Sequence, residues 1–132
     1  MTVTIRPLET TDKNAWRTLW TGYLEFYETK LPPEIYDTYF ERLLGDDPAD
    51  YSGLIAMDGD RPVGLTHYLF HRHGWKIEKI CYLQDLWAEP SARGKGVGRA
   101  LIEAVYAEAD RVGAPTVYWL TAQDNAKARQ LY

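Results

Sequence analysis

The stretch Leu86-Trp87-Ala88-Glu89-Pro90-Ser91-Ala92-Arg93-Gly94-Lys95-Gly96-Val97-Gly98-Arg99 decides how this chain folds. It reads as a strand end, a short turn, a glycine-rich loop and a helix start. An amphipathic run with Leu101, Val105 and Ala109 on one face follows at once. Elements in that order build an anion site. Glycines let the backbone approach a ligand closely, and the first amides of a helix have no intrahelical acceptors. Those amides, with the positive end of the helix dipole, hold a diphosphate well. Arg93, Lys95 and Arg99 add charge around the same turn. The loop points to a nucleotide-bearing cofactor.

Two common phosphate cradles do not match. A P-loop needs four residues between its glycines and then Gly-Lys-Ser/Thr. A dinucleotide fold needs Gly-x-Gly-x-x-Gly beside an N-terminal strand, with an acidic residue about 20 positions on. Here Gly94-x-Gly96-x-Gly98 has a different spacing and comes late in the chain. The pattern Arg93-x-x-Gly96-x-Gly98 after Leu86-x-Ala88-x-Pro90 instead resembles the acetyl-CoA loop of the GNAT superfamily of N-acetyltransferases.

With 132 residues the chain suits a single domain, residues 1–132, built on one core. Apolar residues make up 45% and aromatics 14%, enough to fill that core. No run approaches the ~20 apolar residues of a membrane span, and the N-terminus lacks the pattern of a signal peptide. The lone cysteine, Cys81, excludes an internal disulfide and fits a reducing cytoplasm. Apolar neighbours make it read as a buried strand residue rather than a catalytic thiol. Net charge is −4 with 15 scattered basic residues, which argues against nucleic acid as the main ligand. An acidic protein with a small basic patch fits an anionic cofactor and a cationic substrate.

Along the chain, Val3 to Arg6 alternates and ends at Pro7, a short first strand. Thr11 or Asp12 can cap a helix to about Glu28, with Trp16, Leu19, Trp20, Tyr23 and Tyr27 at helical steps. Pro32-Pro33 interrupts, and Glu34 to Leu44 is a second helix. Gly53 to Met57 and Val63 to His71 form a hairpin about Asp58-Gly59-Asp60, and Lys79 to Ala88 is the next strand. A helix from about Gly96 to Val112 stops at Gly113. Thr116 to Thr121 is a further strand, and Asn125 begins a last helix. The order β-α-α-β-β-β-α-β-α predicts an α/β fold, a mixed, mostly antiparallel sheet flanked by helices. It matches the superfamily just named. There, one or two more strands follow, so either a shortened chain or an end lying beyond the given sequence is expected; a missing strand would leave an exposed sheet edge inviting a homodimer.

The resemblance extends further. Gly64 to Phe70, Trp75 and the run Tyr82-Leu83-Gln84-Asp85-Leu86 resemble the diamine acetyltransferases and small fungal histone and D-amino-acid acetyltransferases. Those relatives carry Tyr-Leu-Glu-Asp on this strand. Asn125-x-x-x-Ala-Arg-x-Leu131-Tyr132 is similar to their second cofactor motif, and Ile5-Arg6-Pro7 to their start.

The resemblance implies acetyl transfer from acetyl-CoA to a primary amine, with no metal. The backbone of Leu86, Trp87 and Ala88 would pair with the pantetheine arm where strands splay, and Arg93 to Arg99, Val97 included, would hold the diphosphate. Tyr132 matches the family's general acid; packing in the core is its plainer reading. Asn125 would cap the last helix and touch the pantetheine. Tyr27 and Glu28 match a substrate-binding Tyr-Glu pair, where a carboxylate beside aromatics suits an alkylammonium group. They read equally as a helix end with a solvated glutamate. Gln84 stands where the diamine enzymes have glutamate and cannot accept a proton. A water chain, Asp85 or Glu28 could serve as base, although alternation turns Asp85 to the opposite face unless the strand bulges. His67, His71 and His73 lack companion ligands at metal spacing. The acceptor is expected to be a small or polyamine-like amine, with a lysine or amino acid as the alternative. A non-catalytic acetyl-CoA-sensing or dimerisation module is the rival from another class, and a generic nucleotide binder a third.

Overall fold

The computed structural model describes residues 2–120. Its strands are β1 (Thr4–Pro7), β2 (Ser52–Asp58), β3 (Arg61–His71), β4 (Ile80–Ala88) and β5 (Val117–Tyr118). Its helices are α1 (Lys13–Phe26), α2 (Pro33–Leu44) and α3 (Val97–Arg111). One sheet runs in chain order from β1 to β5. The first four strands are antiparallel, and β5 joins β4 in parallel. A parallel pair needs a long crossover, which α3 supplies.

The two faces of the sheet bury separate cores. Trp16, Leu19, Trp20 and Leu24 of α1 and Tyr36, Tyr39, Phe40 and Leu43 of α2 pack with Ile55, Leu65 and Trp87. Val97, Leu101, Ile102, Val105 and Ala109 of α3 cover the other face, against Leu54, Ala56, Val63, Tyr68, Cys81 and Leu83. Gly64 sits where α3 crosses β3. A Cβ there would come 2.8 Å from the Trp87 carbonyl oxygen and 2.9 Å from a Val97 methyl, so the two elements meet this closely only over glycine.

The expected order of elements holds through β5, while the last helix falls outside the described residues. The start of α1 differs from expectation. Residues Thr10–Asp12 form a 3-10 turn, and neither side chain caps the helix. The Asp12 carboxylate instead accepts from the Glu9 amide at 2.8 Å and from Arg6 at 2.7 Å. A buried carboxylate gains more from a guanidinium than from a helix amide. Helix α1 also ends at Phe26 rather than Glu28, so Tyr27 leaves the buried stripe and is 44% exposed. The strand expected from Thr116 to Thr121 is paired only at Val117 and Tyr118 among the described residues.

Candidate active site

The glycine loop adopts a shape that its sequence requires. Gly94 has φ 78° and Gly96 φ 85°, in the left-handed region where an L side chain is strained. A Cβ at either position would meet nothing within 4 Å, so backbone conformation, not crowding, demands glycine. Gly96 is the N-cap of α3 and has no side-chain cap. The Ala100 amide makes the helix's bond to the Gly96 carbonyl at 2.9 Å, so the amides of Val97, Gly98 and Arg99 precede the ladder. The Val97 side chain is buried and anchors this turn, while Lys95 and Arg99 are exposed. Arg93 departs from expectation. Its guanidinium lies 4.3 Å from the Trp87 ring centre, and its Nε donates to the Ala88 carbonyl at 3.0 Å. It clasps the end of β4 instead of standing over the loop, because the indole face offers a cation more than open solvent does.

Beside that loop, β4 has an open edge. Its pairing with β5 covers Cys81 and Tyr82, and from Leu83 to Ala88 no described strand lies on that side. The opposite edge stays paired with β3 through Ala88. Leu86, Trp87 and Ala88 therefore run along an edge that leads to the first turn of α3. Asp85, one of the candidate bases, sits on this segment beside Gln84.

A bulge decides where they point. His67 pairs with Asp85 and Tyr68 with Leu83, leaving Gln84 without a partner in β3. The extra residue resets the alternation, so Gln84 and Asp85 both turn toward α1 and α2. Thr66 donates to the Asp85 carbonyl at 2.8 Å beside the bulge. The bulge that alternation alone would not supply is therefore present.

Asp85 is 6% exposed and accepts from every side. His67 lies 2.6 Å from its Oδ2, and the Tyr39 hydroxyl donates to the same oxygen at 2.7 Å. Tyr23 also reaches the carboxylate. Burial works against its charge, but the bonds from His67, Tyr39 and Tyr23 outweigh it and hold the carboxyl below its usual range. Burial, reinforced by the charge of Asp85, pushes Tyr39 and Tyr23 up, so both keep their protons. His67 in turn accepts from the Trp16 indole at 2.9 Å. Gln84 donates to the Tyr39 hydroxyl at 2.9 Å.

Sequence reasoning missed Trp16, Tyr23, Tyr39 and His67 as parts of this cluster. A histidine at an inward strand position is the signal that was available, since a buried imidazole needs partners. Which partners it finds depends on two helices distant in sequence.

At the end of α1, Glu28 has φ 54°. The Thr29 amide reaches back to the Leu24 carbonyl and the Glu28 amide to Glu25, both at 2.9 Å. This is the Schellman closure, with glutamate where glycine is usual. The Tyr27 ring packs tilted against Tyr23 with centres 5.0 Å apart, and Phe26 lies 5.9 Å from Trp87. Tyr27 and Glu28 thus stand exposed at the rim of the wall that holds Tyr23. Asn125 and Tyr132 lie outside the described residues. At the opposite end of β4, a hollow of about 610 Å³ is lined by His71, Trp75 and Tyr118 among others. Its lining includes His71, His73 and Trp75 but none of the residues of the glycine loop or of the Asp85 cluster. Among the described residues, no group of three or more His, Cys, Asp or Glu could hold a metal ion. No described helix is long and apolar enough to cross a membrane.

A glycine loop thus opens α3 next to a bulged strand whose loop-side edge is unpaired among the described residues, and comparison with known proteins identifies the family. The sequence profile of the acetyltransferase (GNAT) family matches residues 14–132. The chain belongs to the GNAT acetyltransferase family. It is an acetyl-CoA-dependent N-acetyltransferase. The D-amino-acid N-acetyltransferase HPA3 of Saccharomyces cerevisiae is 41% identical over 133 residues, spanning 98% of this chain and 81% of that protein. The uncharacterized N-acetyltransferase YhfO of Bacillus subtilis is 30% identical over 128 residues, spanning 97% and 85%. Among solved structures, AAC(6')-Iy in complex with a bisubstrate analog superposes with TM-score 0.84 at 21% identity. That match covers 99% of this chain and 87% of the other, and shows that the GNAT fold is shared.

Proposed function

We propose that this acetyltransferase passes the acetyl group of acetyl-CoA directly to the primary amine of a small cationic acceptor, within a ternary complex. The observation that carries the reading is the β4 edge from Leu83 to Ala88, unpaired on that side among the described residues, which leads into the glycine loop and the first amides of α3. An extended pantetheine arm can add to that edge as a strand would, using main-chain hydrogen bonds. Its diphosphate then meets the amides of Val97, Gly98 and Arg99, with Lys95 and Arg99 supplying charge. Acetyl-CoA brings an acyl thioester, which a neutral amine attacks with release of the thiol.

This chain's part is to bind, orient and move protons. Cys81 is no acyl carrier in this scheme, because it is fully buried under α3 and burial pushes its thiol up to about 12. Of the bases left open by the sequence, a water chain, Asp85 or Glu28, we give Asp85 a positioning role instead, since Tyr39 and His67 occupy its carboxylate. The ammonium proton leaves through water at the open edge, as Gln84 cannot take it. Tyr132, by its match to the family motif, protonates the leaving sulfur, and Asn125 supports the pantetheine. Tyr27, Glu28 and the rings behind them receive the cationic acceptor by charge and cation–π contact. The acceptor is a polyamine-like amine or an amino acid, the latter supported by the printed activity of the yeast relative. A cytoplasmic homodimer completes the reading, on the lone cysteine and the sheet edge.

Mass spectrometry after incubation with acetyl-CoA and a panel of polyamines, amino acids of both hands, amino sugars and a lysine peptide tests this. One acetylated small amine is the expected result. Acetyl-CoA binding with no product would overturn catalysis in favour of a sensing module. Tyr132→Phe should lower kcat while sparing acetyl-CoA affinity; an unchanged kcat removes Tyr132 from the mechanism.

A further inference from the structure

The buried cluster behind the β4 bulge has one permitted direction of donation. An indole N–H can only donate, so the Trp16 bond at 2.9 Å makes His67 Nε2 the acceptor. The proton of the imidazole is then on Nδ1, donated to Asp85 Oδ2 at 2.6 Å. An ionised carboxylate can only accept, so the Tyr39 proton also goes to Asp85, at 2.7 Å. With that proton committed, the Tyr39 oxygen can only accept from Gln84, at 2.9 Å. The NH₂ of Gln84 therefore faces inward and its Oε1 faces away from Tyr39. No donor among the described residues meets that Oε1, and it is not a buried orphan atom. Gln84 itself is half-buried, two positions past the last β4–β5 pair.

We infer that the relay from Trp16 through His67, Asp85 and Tyr39 exists to hold Gln84, whose Oε1 accepts an N–H from the acceptor amine and aims it at the β4 edge. This rests on the acetyl-transfer reading above. An amide carbonyl in this place orients the nitrogen without competing for its proton. Tyr39 and His67 are positioning residues acting through Gln84.

Two measurements on the full chain test the inference. Imidazole 15N chemical shifts should show His67 with the proton on Nδ1 and none on Nε2 at neutral pH. A proton on Nε2 reverses the relay and overturns the inference, whether or not the chain acetylates anything. The second is a double-mutant cycle with the amine that the wild type acetylates, with acetyl-CoA affinity measured beside it. Tyr39→Phe should lower kcat/KM about tenfold or more in the wild-type background and less than twofold on top of Gln84→Met. Acetyl-CoA affinity should stay within about twofold throughout. Equal losses in both backgrounds would mean that Tyr39 acts on stability alone, and would sink the inference. Should Tyr39→Phe fail to fold, Trp16→Phe takes its place in the cycle with the same expectations. Absence of wild-type turnover with every amine would count against the acetyl-transfer reading, while the tautomer measurement still decides the relay.

Discussion

Asp85 shows how one buried residue sets the chemistry of its surroundings. Its carboxylate is matched by donors from α2 and β3, so the charge is costly to remove without replacing the acceptor. Asp85→Asn leaves those donors facing an amide, and we expect a loss of about 3 kcal/mol in urea unfolding. A loss below about 1 kcal/mol would mean that the donors find other acceptors. Cys81 is the counterexample, buried but bound to nothing in the proposed chemistry. Cys81→Ala should keep kcat within about twofold; a collapse of turnover with folding intact would bring back an acyl-enzyme. Gly96, at φ 85°, behaves differently again. Gly96→Ala should cost about 1–2 kcal/mol of stability through left-handed strain. It should also weaken acetyl-CoA binding in calorimetry, because the loop that presents the α3 amides would relax.

Elements in this protein end and bend where function needs them to. Helix α1 closes with Glu28 in a left-handed conformation that glycine would adopt without strain. Strain retained at a rim residue is a reason to test it for a role. Glu28→Gly should raise stability by about 0.5–1 kcal/mol while lowering kcat/KM for a cationic acceptor. Higher stability with unchanged kcat/KM would reduce Glu28 to a solvated helix end. The β4 bulge is the matching device on the strand side, placing two consecutive polar side chains on one face. Gly64 guards the packing of that strand pair against α3. Gly64→Ala should cost about 1–3 kcal/mol, because the added carbon meets a backbone oxygen that cannot step aside.

For the whole molecule, stability should depend on pH through its held carboxylates. Asp12 is kept low by its bond to Arg6, and Asp85 by donors that outweigh burial. Groups with folded values below the unfolded one, about 3.9, contribute fully above it. That contribution disappears as pH falls through the lower folded values. The urea midpoint should thus hold from pH 7 to about 5 and fall below about 4, more shallowly in Asp85→Asn. A wild-type midpoint flat to pH 3 would contradict this. Element order and the cofactor loop were legible in the sequence because both are local. Periodicity marks α1, α2 and α3, and glycine at 94 and 96 marks a backbone shape that other residues resist. The family resemblance implies a splayed β4 edge at Leu86 to Ala88, and among the described residues the pairing with β5 ends at Tyr82. What the sequence by itself determined is the α/β order of elements and the glycine turn that opens α3, since each depends on neighbours within a few residues. The tertiary structure alone decided that Gln84 and Asp85 share a face, that Arg93 turns back onto Trp87, and that Tyr39 and His67 converge on one carboxylate while Trp16 holds the far nitrogen of His67. Those outcomes depend on a register shift between strands and on helices 46 and 51 residues away along the chain, distances over which no sequence pattern specifies a hydrogen bond.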